Sequence, residues 1–339
     1  MSAAVTAVIV SFSDPAATQA AVDSLLGQTE PPVEVIVVDN DPGGSAATAL
    51  RPHADDRVRV VHPGSNLGYA AACNLAADQA RGDWLFFFNP DARADPGCLH
   101  KLLAAADGRT GVIGAQVLLP DGRANAGDNP VHITGMAWAG RFGEPRESGP
   151  PRRVASVSGA ALLARTSAYR ALGGLCEPFF MYYDDTDLCW RMRLGGWDVT
   201  FCPEAVVWHD YEFDKGGGKW SLLDRNRLWS VLSNYSRPTL LMLLPLLVGT
   251  ELAVAARAVS EGWLADLVRA WAFLGRRSRE LRTWRTRVQR SRRVSDSELL
   301  GLMTGTLETQ LVRVGPVRRF NHLVEIYRRA VLGVLRTAG

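Results

Sequence analysis

Several polar clusters in this chain carry residue types that do chemistry, and each follows an apolar run. Asn89-Pro90-Asp91 stands directly behind Trp84-Leu85-Phe86-Phe87-Phe88. Pro90 cannot donate to a strand ladder, so the strand stops there and the Asp91 carboxylate projects past its C-terminal end. A carboxylate in that place suits a hard divalent cation gripping a diphosphate, although Asn-Pro-Asp is also ordinary turn chemistry. Asp39-Asn40-Asp41 follows Val35-Ile36-Val37-Val38; its carboxylates can accept from ribose hydroxyls or a base imide, or simply close an Asx turn. Gly64-Ser65-Asn66-Leu67-Gly68-Tyr69 precedes a helix that carries Asn74, and glycines ahead of a helix N-terminus let a phosphate or sugar approach the backbone. Neither Gly-x-Gly-x-x-Gly nor a P-loop is present.

The most informative cluster is Phe179-Phe180-Met181-Tyr182-Tyr183-Asp184-Asp185-Thr186-Asp187-Leu188-Cys189-Trp190-Arg191. Three carboxylates in four residues repel one another and are costly unless something uses them. With Asp184 capping a helix, Asp187 pairs locally with Arg191. Asp184 or Asp185 then faces a crevice beside hydrophobic walls, where a carboxylate serves as a general base. The plainer alternative is an acidic N-cap on the helix dipole. His209, after Val206-Val207-Trp208, gains interest as a metal or diphosphate contact only because the other clusters converge near it.

Alternating strands and helices must position these residues. Val5 to Phe12, Val33 to Val38, Val58 to His62, Trp84 to Phe88 and Val112 to Leu118 read as strands, and Val154 to Arg165 and Val199 to Cys202 as further ones. Pro15 to Gly27, Tyr69 to Ala80, Pro96 to Ala106 and Asp184 to Gly195 read as helices, the first capped by Asp14 with Pro15 at its first position. This alternation implies an α/β fold with a mostly parallel, doubly wound sheet and a ligand crevice at the strand C-termini. Arg123 to Arg153 has no clear period and reads as a long loop or lid, and Leu222 to about Arg293 as helical.

The 339 residues, 47% hydrophobic and 22% charged with net charge +3, suit a soluble globular protein of one large domain or two. Five cysteines without a Cys-x-x-Cys pair read as buried thiols in a reducing compartment. The N-terminus has no basic segment before its apolar residues and reads as a strand. The longest apolar stretch, Thr239 to Thr250, is shorter than the roughly 20 residues that span a bilayer, so no membrane-spanning segment is expected.

Taken together, Val8-Ile9-Val10-Ser11-Phe12, Val35 to Asn40, Asn66 to Tyr69 with Asn74, Phe88 to Asp91, Ser158-Gly159-Ala160 and Phe180 to Arg191 resemble the family 2 glycosyltransferases of the GT-A fold, and in particular their rhamnosyltransferase-like branch. The resemblance covers roughly residues 4 to 235. It implies a catalytic domain over 1–235, and the composition of the remainder reads as a basic, amphipathic helical region over 236–339. It implies donor binding by Ser11, Asp39, Asp41, Asn66, Gly68, Asn74, Asn89 and Asp91, with Asp39 on the nucleoside. Mg²⁺ or Mn²⁺ would sit on Asp91 and His209. Asp185 would be the catalytic base with Asp184 beside it, and Gly159, Ala160, Tyr182 and Trp190 would line the acceptor side. Two departures stand out: the family's Asp-x-Asp reads Asn89-Pro90-Asp91 here, and its Glu-Asp pair reads Asp184-Asp185. No Gln-x-x-Arg-Trp is present, which argues against the processive branch.

The expected reaction is a single displacement that inverts the anomeric centre, from a dTDP- or UDP-linked donor (dTDP-rhamnose foremost) onto a glycan or lipid-linked acceptor. A catalytically silent sugar-binding or assembly subunit is the rival reading, kept by the single carboxylate at 89–91. An NAD-dependent oxidoreductase lacks its glycine fingerprint. From Arg276 to Arg293 nine arginines stand against one acid, Glu280, with Leu274, Leu281, Trp284 and Val288 at helical spacing. Together with the apolar Leu240 to Val248 segment, such a helix suits docking on an anionic membrane surface, or a homodimer through the C-terminal helices. No nucleic-acid partner is expected. The chain is expected in the cytoplasm, peripheral on the inner face of the plasma membrane.

Overall fold

Apolar runs buried on both faces become the strands of a central sheet, which is why they read as continuous and not alternating. In chain order the strands are β1 (Val5–Ser11), β2 (Glu34–Asp39), β3 (Val58–Val61), β4 (Trp84–Phe88), β5 (Ala92–Ala94), β6 (Thr110–Leu118), β7 (Ala124–Ala126), β8 (Asp128–Asn129), β9 (Arg152–Arg153), β10 (Ser156–Val157), β11 (Ala161–Arg165) and β12 (Asp198–His209). The helices are α1 (Pro15–Leu26), α2 (Ser45–Leu50), α3 (Tyr69–Gln79), α4 (Cys98–Ala105), α5 (Thr166–Ala171), α6 (Asp184–Leu194), α7 (Lys219–Asn234), α8 (Arg237–Ser260), α9 (Leu264–Arg276), α10 (Ser278–Ser291), α11 (Asp296–Leu302) and α12 (Val314–Thr337). This computed structural model describes residues 3–50, 55–209, 219–308 and 314–337. The chain forms two compact units, one of Met1–Asn129, Ala139–Met192 and Trp197–Glu212, the other of Pro130–Trp138, Arg193–Gly196 and Phe213–Gly339.

In the first unit the strand order is β3-β2-β1-β4-β11-β6-β12-β5, with β7 on β6 and β9 on β12. β1 to β4 are mutually parallel, β12 is parallel to β6, and β11 runs antiparallel between β4 and β6. Alternate strand residues face opposite layers: Val8, Val10, Leu85 and Phe87 pack with α3, α5 and α6. Ala7, Ile9, Phe86 and Phe88 pack with α1 and α4. Asp14 caps α1 by accepting from Ala17 N–H at 3.0 Å, as its sequence predicts.

Two expectations need correction here. The span 123–153 is not a free lid in its described part: β7 and β9 join the sheet, and Arg152 ties Glu147 to Asp128 (3.0 Å to the latter). The final strand is also much longer than Val199–Cys202, because a bulge between Cys202 and Val206 lets β12 stay paired to β6 and carry on to His209.

The second unit is helical. Arg227 of α7 is buried and paired with Asp224 (2.6 Å) and Glu251, and donates to Thr134 O at 2.9 Å. The basic helix α10 is not simply a solvated charge face. Arg285 donates to Leu232 O and Tyr235 O, Gln289 to Ser233 O and Asn234 O, and Arg292 to Asn234 O and Asp296. These bonds satisfy the carbonyls that α7 leaves open at its end. The apolar stretch also exceeds its sequence estimate: Pro245 does not end it, and α8 runs 24 residues, with mean hydropathy 2.0 over its most apolar 18, long and apolar enough to cross a membrane by length and composition.

Candidate active site

Strand register gathers the polar clusters on one sheet edge. Ser11 is level with Asp39, Ile9 with Phe88, and Phe88 with Ala161. Asp39, Ser11, Asn89 and Ala160 therefore end neighbouring strands, and Asn89 N–H donates to Ala160 O at 3.0 Å. β12 reaches the same edge, His209 pairing with Ala92.

There, His209 Nε2 lies 2.9 Å from Asp91 Oδ1 and 3.3 Å from Asn89 Nδ2. The imidazole is buried while the Asp91 side chain is 40% exposed, so the pair opens to solvent through the carboxylate. Asn125 fixes the histidine from behind, donating to His209 O at 3.1 Å. A half-exposed carboxylate beside an imidazole nitrogen suits Mg²⁺ or Mn²⁺. Among the described residues no three or more His, Cys, Asp or Glu side chains converge. The donor set therefore fits a cation that takes its remaining ligands from a diphosphate and water.

Asp39 is fully buried, accepting from Asp41 N–H (3.1 Å) and Ala47 N–H (2.7 Å). Ser11 Oγ is also buried, 2.7 Å from Thr18 Oγ1. Asp41 lies more open, with its carboxyl held below the usual range by the Ser45 hydroxyl and Gly43 N–H. Asn66 is exposed and accepts from Gly68 N–H at 2.9 Å. Asn40, which the sequence did not single out, clamps this loop by donating to Gly68 O at 3.1 Å.

Three expectations fail on geometry. Asn74 spends its whole amide inside the protein: it accepts from Tyr169 Oη (2.6 Å) and Leu175 N–H (2.9 Å) and donates to Leu175 O (3.0 Å) and Glu177 Oε1 (3.1 Å). An amide has four such bonds to make, so none is left for a donor. Trp190 is 1% exposed in the core and cannot line an acceptor site. The N-terminus of α3 is not open to a phosphate, because Tyr69 N–H (2.5 Å) and Ala70 N–H (3.4 Å) both donate to Phe180 O.

Phe180 holds that position at φ 66°, ψ −58°, in a tight turn closed by Met181 N–H to Phe179 O at 2.7 Å. This conformation is rare and strained for a residue with a side chain. Its ring lies where a Cβ on Gly68 would come within 2.5 Å, so Gly68 serves this contact. Tyr182 and Tyr183 also have positive φ (69° and 70°), and the half-buried Tyr182 leads into α6.

The acids that follow differ in environment. Asp187 and Arg191 form a buried pair at 2.7 Å. Asp185 Oδ2 accepts from Gly159 N–H at 2.8 Å and Oδ1 from Thr186 N–H at 2.6 Å. Burial raises its pKa, opposed by those two N–H bonds. A Cβ on Gly159 would stand 3.1 Å from Asp185 Cβ, which accounts for glycine there. Asp184 is 4% exposed, and burial, then the charges of Asp185 and Asp187, raise its pKa well above the ordinary range.

The sequence profile of the family described as "Glycosyl transferase family 2" matches residues 6–173. A Mycobacterium tuberculosis (strain ATCC 25618 / H37Rv) protein named N-acetylglucosaminyl-diphospho-decaprenol L-rhamnosyltransferase is 33% identical over 214 residues, covering 55% of this chain and 69% of the relative. The chain belongs to glycosyltransferase family 2. Its GT-A fold is shared with solved glycosyltransferases of low identity. GalNAc-T7, solved with UDP, GalNAc and Mn²⁺, superposes with TM-score 0.58 at 15% identity, over 69% of this chain and 48% of that one. S. aureus TarS 1–349 with UDP-GlcNAc superposes with TM-score 0.56 at 13% identity, over 99% and 92%. Asn125, which packs behind His209 on this edge, has no local sequence signal that marks it.

Proposed function

We propose that this glycosyltransferase moves a sugar from a dTDP- or UDP-linked donor, dTDP-rhamnose foremost, to a lipid-linked glycan acceptor with inversion. The observation that carries the reading is Asp185, whose carboxylate is held by the Gly159 and Thr186 N–H groups on the edge that bears Asn89, Asp91 and His209. The acceptor class rests on the name of the Mycobacterium tuberculosis relative.

In this mechanism Asp185 takes the proton of an acceptor hydroxyl as its oxygen forms the new bond to the anomeric carbon. The bond to the nucleoside diphosphate breaks on the opposite face, and the configuration inverts. Two N–H donors orient Asp185 without neutralising it, while Asp184 keeps its proton and leaves the negative charge on the base. Asp91 and His209 would hold Mg²⁺ or Mn²⁺, which when bound offsets the charge of the diphosphate. Ser11, Asp39, Asp41, Asn66 and Gly68 shape the nucleoside end, Gly159, Ala160 and Tyr182 the acceptor end.

Calorimetry with dTDP, UDP and GDP, with and without Mn²⁺, tests the donor end. Metal-dependent binding of dTDP or UDP, lost in Asp91→Ala, is expected. Binding of GDP alone would overturn the donor class, and binding of none would favour a silent sugar-binding subunit.

A further inference from the structure

α8 presents a face that water does not suit. Leu241, Leu244, Val248, Leu252 and Val259 are 49–71% exposed, and Pro238, Pro245, Gly249, Ala253 and Ala256 lie exposed among them. These positions follow helical spacing along one side. From Pro238 to Ala256 the exposed side carries no charge; Arg237 stands at one end, and about 30 Å away at the rise of a helix Arg257 stands at the other, paired with the exposed Glu261 at 2.8 Å. The opposite side is held inside the helical unit. Thr239, Leu243, Leu247 and Ala258 are buried there, and Glu251 pairs with Arg227. A helix fastened on one side by a buried ion pair lies on a surface; it does not thread through it.

We propose that the outer face of α8 docks in the interface of an anionic lipid bilayer, its leucines and valines among the acyl chains and Arg237 at the phosphates. A second copy of the chain fits less well. Pairing two such faces parallel sets Arg237 against itself, and pairing them antiparallel sets it against an Arg257 whose charge Glu261 already offsets at 2.8 Å, so neither arrangement gives Arg237 an unpaired acid. A bilayer supplies both the apolar layer and the negative charge. The inference deepens the lipid-linked acceptor reading, since a docked enzyme meets such an acceptor where it resides, yet it is tested without turnover.

Full-length protein would be floated with phosphatidylcholine vesicles with and without phosphatidylglycerol. Flotation that needs the anionic lipid is expected. Leu241→Ser, Leu244→Ser, Val248→Ser and Leu252→Ser combined should cut partitioning about a hundredfold or more, at exposed positions that leave the fold intact by circular dichroism. Arg237→Gln should cost about fivefold. In a second measurement, Leu252→Cys carrying an environment-sensitive dye should shift blue on vesicles and be quenched by spin-labelled acyl chains. Unchanged flotation of the serine variant, or flotation without dye quenching, would overturn the proposal in favour of adsorption through other arginines. A dimer in lipid-free solution that the serine variant dissolves would also overturn it, in favour of a second copy. Intact docking with transfer only to water-soluble glycans would instead sink the acceptor reading alone.

Discussion

Two sets of aspartates serve this protein under opposite physical conditions. Asp91 is 40% exposed and shares its charge with the imidazole of His209 at 2.9 Å. Asp184 and Asp185 are crowded into the start of α6, where burial raises the pKa of both. The first arrangement leaves a carboxylate reachable from solvent, which is what a cation and a diphosphate require. The second makes a carboxylate hold a proton more tightly, which is what a base needs when it must accept one. On the reading proposed above, a single residue type takes two roles because solvent and neighbours differ, the same logic by which environments separate acids from bases.

The sharpest break in the comparison is Asp185→Asn. Transfer should fall by roughly 10²–10⁴-fold while dTDP or UDP binding by calorimetry is unchanged. In the parent, kcat/KM should rise with pH through a limb above the ordinary Asp value of about 3.9. Retained turnover in the variant would move the base role to another acid. Next is Asp91→Ala, expected to lower metal-supported transfer by roughly 10²-fold and to abolish the response of nucleotide binding to Mn²⁺. Equal binding with and without metal in the parent would remove the cation from the exposed set.

Asn74→Ala is a smaller effect of another kind. Loss of its internal bonds should cost about 2–3 kcal/mol in chemical denaturation with donor affinity unaltered; a drop in affinity at unchanged stability would restore it as a ligand. The subtlest test is Asp184→Asn. The folded chain holds the Asp184 proton more tightly than the unfolded chain, so its contribution to stability is full below the ordinary Asp range and is lost as pH climbs through the raised value. Asparagine escapes that loss. The variant should melt about 2 °C higher than the parent near pH 8, with the gap closing toward pH 4, whereas a pH-independent difference would mean Asp184 stays ionised.

Much of the layout was legible in the residues. Trp84 to Phe88 followed by Pro90 marks a buried strand and its end to the residue, and Asp14-Pro15 marks the start of α1. What misled was function read from residue type. Asn74 looks like a ligand on a helix after a glycine loop, but its partners are supplied by Tyr169, Leu175 and Glu177, about 100 positions away. Trp190 falls in an acidic motif, yet helical periodicity turns it inward. The open helix N-terminus implied by Gly64 to Gly68 is closed by the carbonyl of a phenylalanine in a strained turn, a conformation no propensity suggests.

Residue pattern alone determined the alternation of strands and helices, the sheet edge on which polar residues emerge, and the acids that start α6. These depend on apolar periodicity, proline and local caps, all short-range in the chain. Tertiary structure decided which polar groups remain for substrate. His209 meets Asp91 across 118 positions, and Gly159 N–H meets Asp185 across 26. Such partners exist only once strand register is set, because hydrogen bonding demands distances near 3 Å that composition and spacing do not encode.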